Sequence, residues 1–292
     1  MSATLVEPME LPKRMTERER VFRLPVDDRQ PGDVDLTEEF ARPGGQWSLR
    51  PVQSLALQTA RETGGLLASI AVGGGKTLLD CLLPTAMNAK RALVLIPAAR
   101  RDEFVREAIE YDQHFEYDDS FKLWSYSEIS TQNGWENLRE YEPDLIVADE
   151  AHKLRNGSAA RTMRVLRYFR ARPDTQFCGY SGTLFAKSLE DCAHLAELAL
   201  GDGSPIPRSH SELNIWSVCI DVNDQTFPTA EDFQRLQPLV DQFGNEHTLS
   251  GRYSEKKRAV RDAYQERLRT TPGVVVTTGS SCDASIQIGS AS

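Results

Sequence analysis

The chain has 292 residues, of which 40% are hydrophobic and 26% charged, with a formal net charge of −9. That composition suits a globular protein of one large domain or two small ones, and the acidic balance argues against a protein that coats nucleic acid through a generally basic surface. It leaves room for a basic groove on an acidic body.

No apolar run approaches the ~20 residues needed to cross a bilayer, and Met1-Ser2-Ala3-Thr4-Leu5-Val6-Glu7 has neither the basic nor the apolar region of a signal peptide. A cytoplasmic location and no membrane partner are therefore expected. The five cysteines, Cys81, Cys178, Cys192, Cys219 and Cys282, are odd in number and lack Cys-x-x-Cys spacing, which points to reduced buried thiols rather than to disulfides or a zinc site.

Residues 1–45 carry prolines at 8, 12, 25, 31 and 43 and mixed charges such as Glu17-Arg18-Glu19-Arg20. They predict an extended, flexible charged arm with one short helix near 15–22, a solvated tail rather than a clamp on nucleic acid. Trp47 to Gln53 opens the ordered part, with Pro51 placed for the first turn of a helix. Gly65 to Val72 reads as a buried strand, Gly73-Gly74-Gly75-Lys76-Thr77 as a glycine loop, and Thr77 to Leu83 as the helix that follows. Strand, glycine turn and helix amino terminus make an anion site, because free amides and the helix dipole face the same point. Lys76 adds phosphate charge and the Thr77 hydroxyl a magnesium ligand. The fuller pattern Gly-x-x-x-x-Gly-Lys-Thr is not met, since Ile70 stands at its first glycine.

Ala92 to Ile96 is a second short apolar run, closed by Pro97 and followed by Arg100, Arg101 and a helix through Tyr111. Phe121 to Ser127 reads as a third strand. Leu145-Ile146-Val147-Ala148 ends in Asp149-Glu150, which puts two acids at the carboxyl end of a parallel sheet, where α/β folds bind ligands. Acids buried there require a cation. Asn156-Gly157-Ser158 starts a helix with Arg161, Arg164, Arg167 and Arg170 along one stripe, either a nucleic-acid path or a solvated face. A last strand, Thr175 to Tyr180, closes on Ser181-Gly182-Thr183.

Asp149-Glu150-Ala151-His152, continued by Lys153-Leu154-Arg155-Asn156 and Ser158, resembles motif II of superfamily-two DEAD/DEAH-box helicases, closest to the Swi/Snf-like and related phage-encoded branch. The resemblance runs from about Leu49 to Leu184, with several motifs in family order. It implies an α/β fold of the RecA-like P-loop type, a mainly parallel sheet flanked by helices, with ATP and Mg2+ as ligands. Arg50 and Gln53 resemble the adenine-reading segment, and Gln53 would make a two-point amide contact with the base. Gly73, Gly74, Gly75, Lys76 and Thr77 would bind phosphate, Thr77 and Asp149 magnesium, and Glu150 would activate water, with Lys76 and Asp149 completing the catalytic set. His152, Ser181 and Thr183 resemble the residues that couple hydrolysis to movement. Arg100, Arg101, Arg161 and Arg164 are the nucleic-acid candidates, with duplex DNA favoured over RNA.

Residues 46–187 are thus expected to form the first RecA-like lobe. From Ser188 the pattern turns to helices near 188–200, 211–219, 229–243 and 254–269, with one strand in 271–277, so 188–292 is expected to be a mainly helical accessory region. The second-lobe arginine motif of this superfamily, Gln-x-x-Gly-Arg-x-x-Arg, has no match: the nearest string, Gly251-Arg252, has Thr248 and Glu255 at the flanking positions. The second lobe is expected from outside these residues, with a separate protein as one source, whether the chain is a truncation, one product of a split gene or a stand-alone lobe. The rival reading is a nucleotide-gated module that binds nucleic acid or a partner and hydrolyses little.

Overall fold

The computed structural model describes residues 15–71, 73–182, 184, 188–221, 227–244, 249 and 251–277. Its centre is a six-stranded, all-parallel sheet of β1 (Gly65–Ser69), β2 (Ala92–Ile96), β3 (Lys122–Ser125), β4 (Leu145–Asp149), β5 (Gln176–Tyr180) and β6 (Val274–Val276) in the order β3-β2-β4-β5-β1-β6. A parallel sheet needs both faces covered, and β1, β2 and β4 are buried at every position.

Alternate side chains feed two cores. Leu66, Ala68, Val94, Ile96, Val147, Cys178 and Tyr180 pack on one side, while Leu67, Leu93, Leu95, Ile146, Ala148 and Phe177 pack on the other. Val21 of α1 (Glu17–Phe22) belongs to the second core, whereas α2 (Thr37–Phe40), α3 (Pro51–Thr63), α4 (Lys76–Ala86) and α5 (Arg101–Tyr111) cover the first face and contribute Phe40, Leu57, Leu82 and Phe104 to its core. The second face receives α6 (Tyr126–Ser130), α7 (Gly134–Tyr141), α8 (Ala160–Ala171), α9 (Leu189–Leu200), α10 (His210–Ile220), α11 (Ala230–Phe243) and α12 (Tyr253–Arg269). This is the α/β architecture, helices on a parallel sheet plus a helical carboxyl-terminal region, that the strand and helix periodicities predict.

Two segments are tied in more closely than their composition suggests. The arm is not a free tail over 15–45: Val21 and Phe40 are buried, and Phe22 stacks on Trp216 with ring centroids 5.8 Å apart. Its charge is absorbed locally, because the Arg20 guanidinium donates to the carbonyls of Asp202 at 2.7 Å, Ser204 at 2.7 Å and Ile206 at 3.0 Å. Residues 1–14 of the arm lie outside the described residues. At the other end, β6 joins the sheet beside β1, pairing Leu67 with Val274 and Ser69 with Val276, so the helical region closes one sheet face and adds an edge strand. No helix among the described residues is long and apolar enough to cross a membrane.

Candidate nucleotide site

The carboxyl ends of β1, β4 and β5 bring three sequence-distant segments together. After β1 the chain turns through Gly73 and Gly75, both at positive φ (79° and 78°). Gly75 has no room for a side chain, since a Cβ there would lie 2.3 Å from Gln53 Nε2, and a Cβ on Gly74 would lie 2.4 Å from Ile70 Cγ2. The turn delivers Lys76 and Thr77 to the first turn of α4, both nearly buried.

Behind the loop, Pro51 occupies the first turn of α3 and Gln53 caps it: Gln53 Oε1 accepts from the Arg50 amide at 2.7 Å, and its Nε2 donates to the Gly75 carbonyl at 2.9 Å. Arg50 donates to the Gly73 carbonyl. Gln53 is 2% exposed and both ends of its carboxamide are engaged. The carboxamide expected at an adenine edge is turned instead to the Arg50 amide and the Gly75 carbonyl, so Gln53 and Arg50 brace the glycine loop from behind.

At the end of β4, Asp149 completes the strand and Glu150 takes a left-handed conformation (φ 58°, ψ 50°), rare for a residue with a Cβ and a local strain on the order of 1 kcal/mol. The turn gives both acids to the site. Lys76 Nζ stands 3.0 Å from Glu150 Oε1. The other carboxylate oxygen, Oε2, accepts from Ser181 Oγ at 3.0 Å and lies 3.0 Å from His152 Nδ1, which is itself 2.8 Å from Ser181 Oγ. Ser181 follows β5 directly, so the three expected residues Glu150, His152 and Ser181 form one cluster. Thr183 lies outside the described residues.

The electrostatics separate the two acids. Burial alone would raise the Glu150 carboxyl, but the hydrogen bond and charge of Lys76, helped by Ser181 and His152, outweigh it and hold the group below the usual carboxylate range. Asp149 is pushed up to about 6, first by burial and then by the Glu150 charge, against the pull of Arg100 and Lys76. Burial holds the His152 imidazole below its ordinary range despite the Glu150 carboxylate beside it.

No known family profile and no curated protein sequence matches this chain.

The site fits a divalent cation on its own chemistry. Asp149 Oδ1 is buried with no hydrogen-bond partner among the described residues, a hard oxygen of the kind magnesium takes, and the Thr77 hydroxyl shares a cationic neighbour with the other oxygen, Oδ2.

That neighbour is Arg100, and here expectation and structure part. Sequence places Arg100 at a nucleic-acid backbone, yet its Nη1 is 3.4 Å from Asp149 Oδ2 and its Nη2 3.3 Å from Thr77 Oγ1. The turn after β2 aims it along the sheet edge at the buried carboxylate. Arg101 pairs with Glu128 at 2.5 Å and donates to the Leu123 carbonyl, bracing α5 against α6. Arg161 donates to the Lys153 carbonyl at 2.6 Å and Arg164 to that of Ile129 at 2.9 Å, while both still line surface cavities, of about 590 and 440 Å3.

Two further residues serve the site. Tyr126 donates to the Asp149 carbonyl at 2.7 Å, fixing the strand end. Asp80, fully buried one helical turn beyond Lys76, bonds the Tyr180 hydroxyl, and burial drives its carboxyl well above the usual range. A lone acid inside the apolar run Leu78-Leu79-Asp80-Cys81-Leu82-Leu83 was the available signal.

Proposed function

We propose that this chain is the ATP-binding and ATP-hydrolysing lobe of a superfamily-two helicase or translocase, coupling Mg-ATP hydrolysis to movement on nucleic acid. The observation that carries it is the meeting of Lys76 and Thr77, from a glycine turn after β1, with Asp149 and Glu150 at the end of β4. A glycine loop for phosphate, a hydroxyl and two adjacent carboxylates, one for magnesium and one for water, are the parts a phosphoanhydride hydrolase requires.

Lys76 and the amides from Gly73 to Thr77 would hold the phosphate chain, and Thr77 with Asp149 would hold magnesium. Bound there, magnesium neutralises charge on the phosphate oxygens. The general base is Glu150, and the acting atom is Oε1. Oε2 is already held by Ser181 and His152, whereas Oε1 faces Lys76 alone among the described residues, and a phosphate would draw that charge away. Once Lys76 turns to phosphate, Oε1 is free to accept a proton from water. The same cluster joins the base to β5 through Ser181, a route by which hydrolysis is felt beyond the site.

Nucleic acid, duplex DNA in preference to RNA, is the proposed polymer. It rests on the likeness of Asp149–Asn156 and Ser158 to the Swi/Snf-like branch and on the half-exposed Arg161 and Arg164 of α8. A second RecA-like lobe bearing the arginine motif is the proposed partner of the site. The test of the central claim is equilibrium binding of a fluorescent ATP analogue with and without Mg2+. Lys76→Ala is expected to lower affinity at least about tenfold with an unchanged circular dichroism spectrum. Equal affinity in the two proteins would remove the phosphate-loop assignment.

A further inference from the structure

Arg100 sits at the end of the short turn Ala98–Arg100 that follows β2, and its guanidinium faces two sets of acceptors at once. Toward the sheet it meets Thr77 Oγ1 at 3.3 Å and Asp149 Oδ2 at 3.4 Å. Toward α5 it meets Glu103 Oε2 at 3.2 Å through Nε and Glu107 Oε2 at 3.8 Å through Nη2. All four contacts are at or beyond the long end of the hydrogen-bond range, so the guanidinium is shared between two sets and locked to neither. Exposure grades along the same line: Asp149 is 2% exposed, Arg100 30%, Glu107 32% and Glu103 51%.

We infer that the Arg100 guanidinium is a resident counter-cation of the Thr77–Asp149 pair, and that a divalent metal enters only as Arg100 is handed over to Glu103 and Glu107. The inference rests on the metal-binding role proposed above for Thr77 and Asp149. Thr77 Oγ1 and Asp149 Oδ2 are two of the oxygens that would ligate magnesium, and they are the two that the guanidinium now faces, so metal and guanidinium compete for the same acceptors. Two cations so close in a largely buried pocket repel strongly. An Asp149 carboxylate with no cation would be a costly buried charge, and Arg100 removes that cost whenever metal is absent. Glu103 and Glu107 lie four residues apart on α5, the helix that Arg100 precedes, so the transfer is a side-chain rotation with no break in the helix. Metal entry and arginine exit are then one event, which makes metal affinity adjustable from the surface of α5.

Mn2+ is the probe, titrated into the full chain without nucleotide and followed by loss of the free-ion electron paramagnetic resonance signal. Arg100→Gln is expected to bind Mn2+ at least about tenfold more tightly than the parent, whereas Arg100→Lys, which keeps the charge, should stay near it. Arg101→Gln, which removes an equal charge from the next residue, should change little. The Glu103→Gln/Glu107→Gln pair should weaken Mn2+ binding severalfold in the parent but not in the Arg100→Gln background, because those acids act only by receiving the arginine. If they weaken it equally in both backgrounds, or if Arg100→Gln binds no more tightly than the parent, the handover is wrong. Adding Asp149→Asn to Arg100→Gln must abolish the gain. Should it not, the metal site itself is misassigned, a failure separate from that of the handover.

Discussion

Glu150 is gripped at both oxygens by different partners: Oε1 by Lys76 Nζ at 3.0 Å, and Oε2 by Ser181 Oγ and His152 Nδ1, each at 3.0 Å. A general base needs one lone pair free and the carboxyl plane fixed, and this division supplies both. Glu150→Gln is expected to leave binding of an ATP analogue within about threefold while lowering single-turnover hydrolysis by about 10² to 10⁴. Ser181→Ala should leave binding alone and cost about tenfold in hydrolysis, as one charge-assisted hydrogen bond to the base is lost. A Ser181→Ala protein that hydrolyses at the parental rate would show that Oε2 needs no anchor.

Gln53 gives a test that separates two roles for one residue. Its carboxamide bridges the Arg50 amide and the Gly75 carbonyl, so Gln53→Ala should loosen the glycine loop and weaken all nucleoside triphosphates alike, by roughly tenfold, about 1.4 kcal/mol. Competition between ATP and GTP for a fluorescent analogue reads the outcome. Selective loss of ATP, with GTP unchanged, would return Gln53 to the adenine.

The sheet and the helices were legible because burial imposes pattern: Leu145–Ala148 is apolar throughout, as a doubly covered strand must be, and each carboxyl-terminal helix stands within about two residues of its periodic signal. The convergence of Lys76, Asp149 and Glu150 was legible for a related reason, since each lies where a predicted strand ends. What could not be read was side-chain direction. Two arginines opening a helix look alike in sequence, yet Arg100 turns inward to Asp149 and Arg101 outward to Glu128. Likewise the mixed charges of Glu17–Arg20 looked like a solvated arm, because nothing local reveals that Arg20 will meet carbonyls some 180 residues later.

That docking is expected to make the protein acid-sensitive at a place remote from the candidate nucleotide site. Burial would raise the Glu17 carboxyl, but hydrogen bonds from Arg20 and Arg208 prevail and hold it at about 2. Its folded value lies below the unfolded one of 4.5, so its contribution is complete above pH 4.5 and is lost as pH falls toward 2. The side chain keeps 20% of its exposure, and solvent screening limits the effect to about 1 kcal/mol. Glu17→Gln should lower the urea midpoint at pH 7, with the gap to the parent closing below pH 4.5. A gap that is constant from pH 7 to 3 would contradict the linkage.

Hydrolysis by this 292-residue chain is expected to be limited by transition-state charge. Glu150 can set the water, but the developing charge on phosphate calls for an arginine, and such groups are worth about 10³ to 10⁵ in rate, or roughly 4 to 7 kcal/mol of barrier. Arg50 and Arg100 reach the site, and both are engaged: Arg50 with the Gly73 carbonyl, Arg100 with Thr77 and Asp149. Neither is held for the phosphate. The purified chain should therefore bind Mg-ATP yet turn over well below about one per second, and duplex DNA alone should raise that rate little. Adding a protein that carries Gly-Arg-x-x-Arg in a second RecA-like lobe should restore turnover, and Glu150→Gln should abolish the restored rate without releasing nucleotide. Fast hydrolysis by the chain alone would point to an arginine acting in cis. Its loss in Arg100→Gln but not in Arg50→Gln would then identify that arginine as Arg100, freed from Asp149 by the metal.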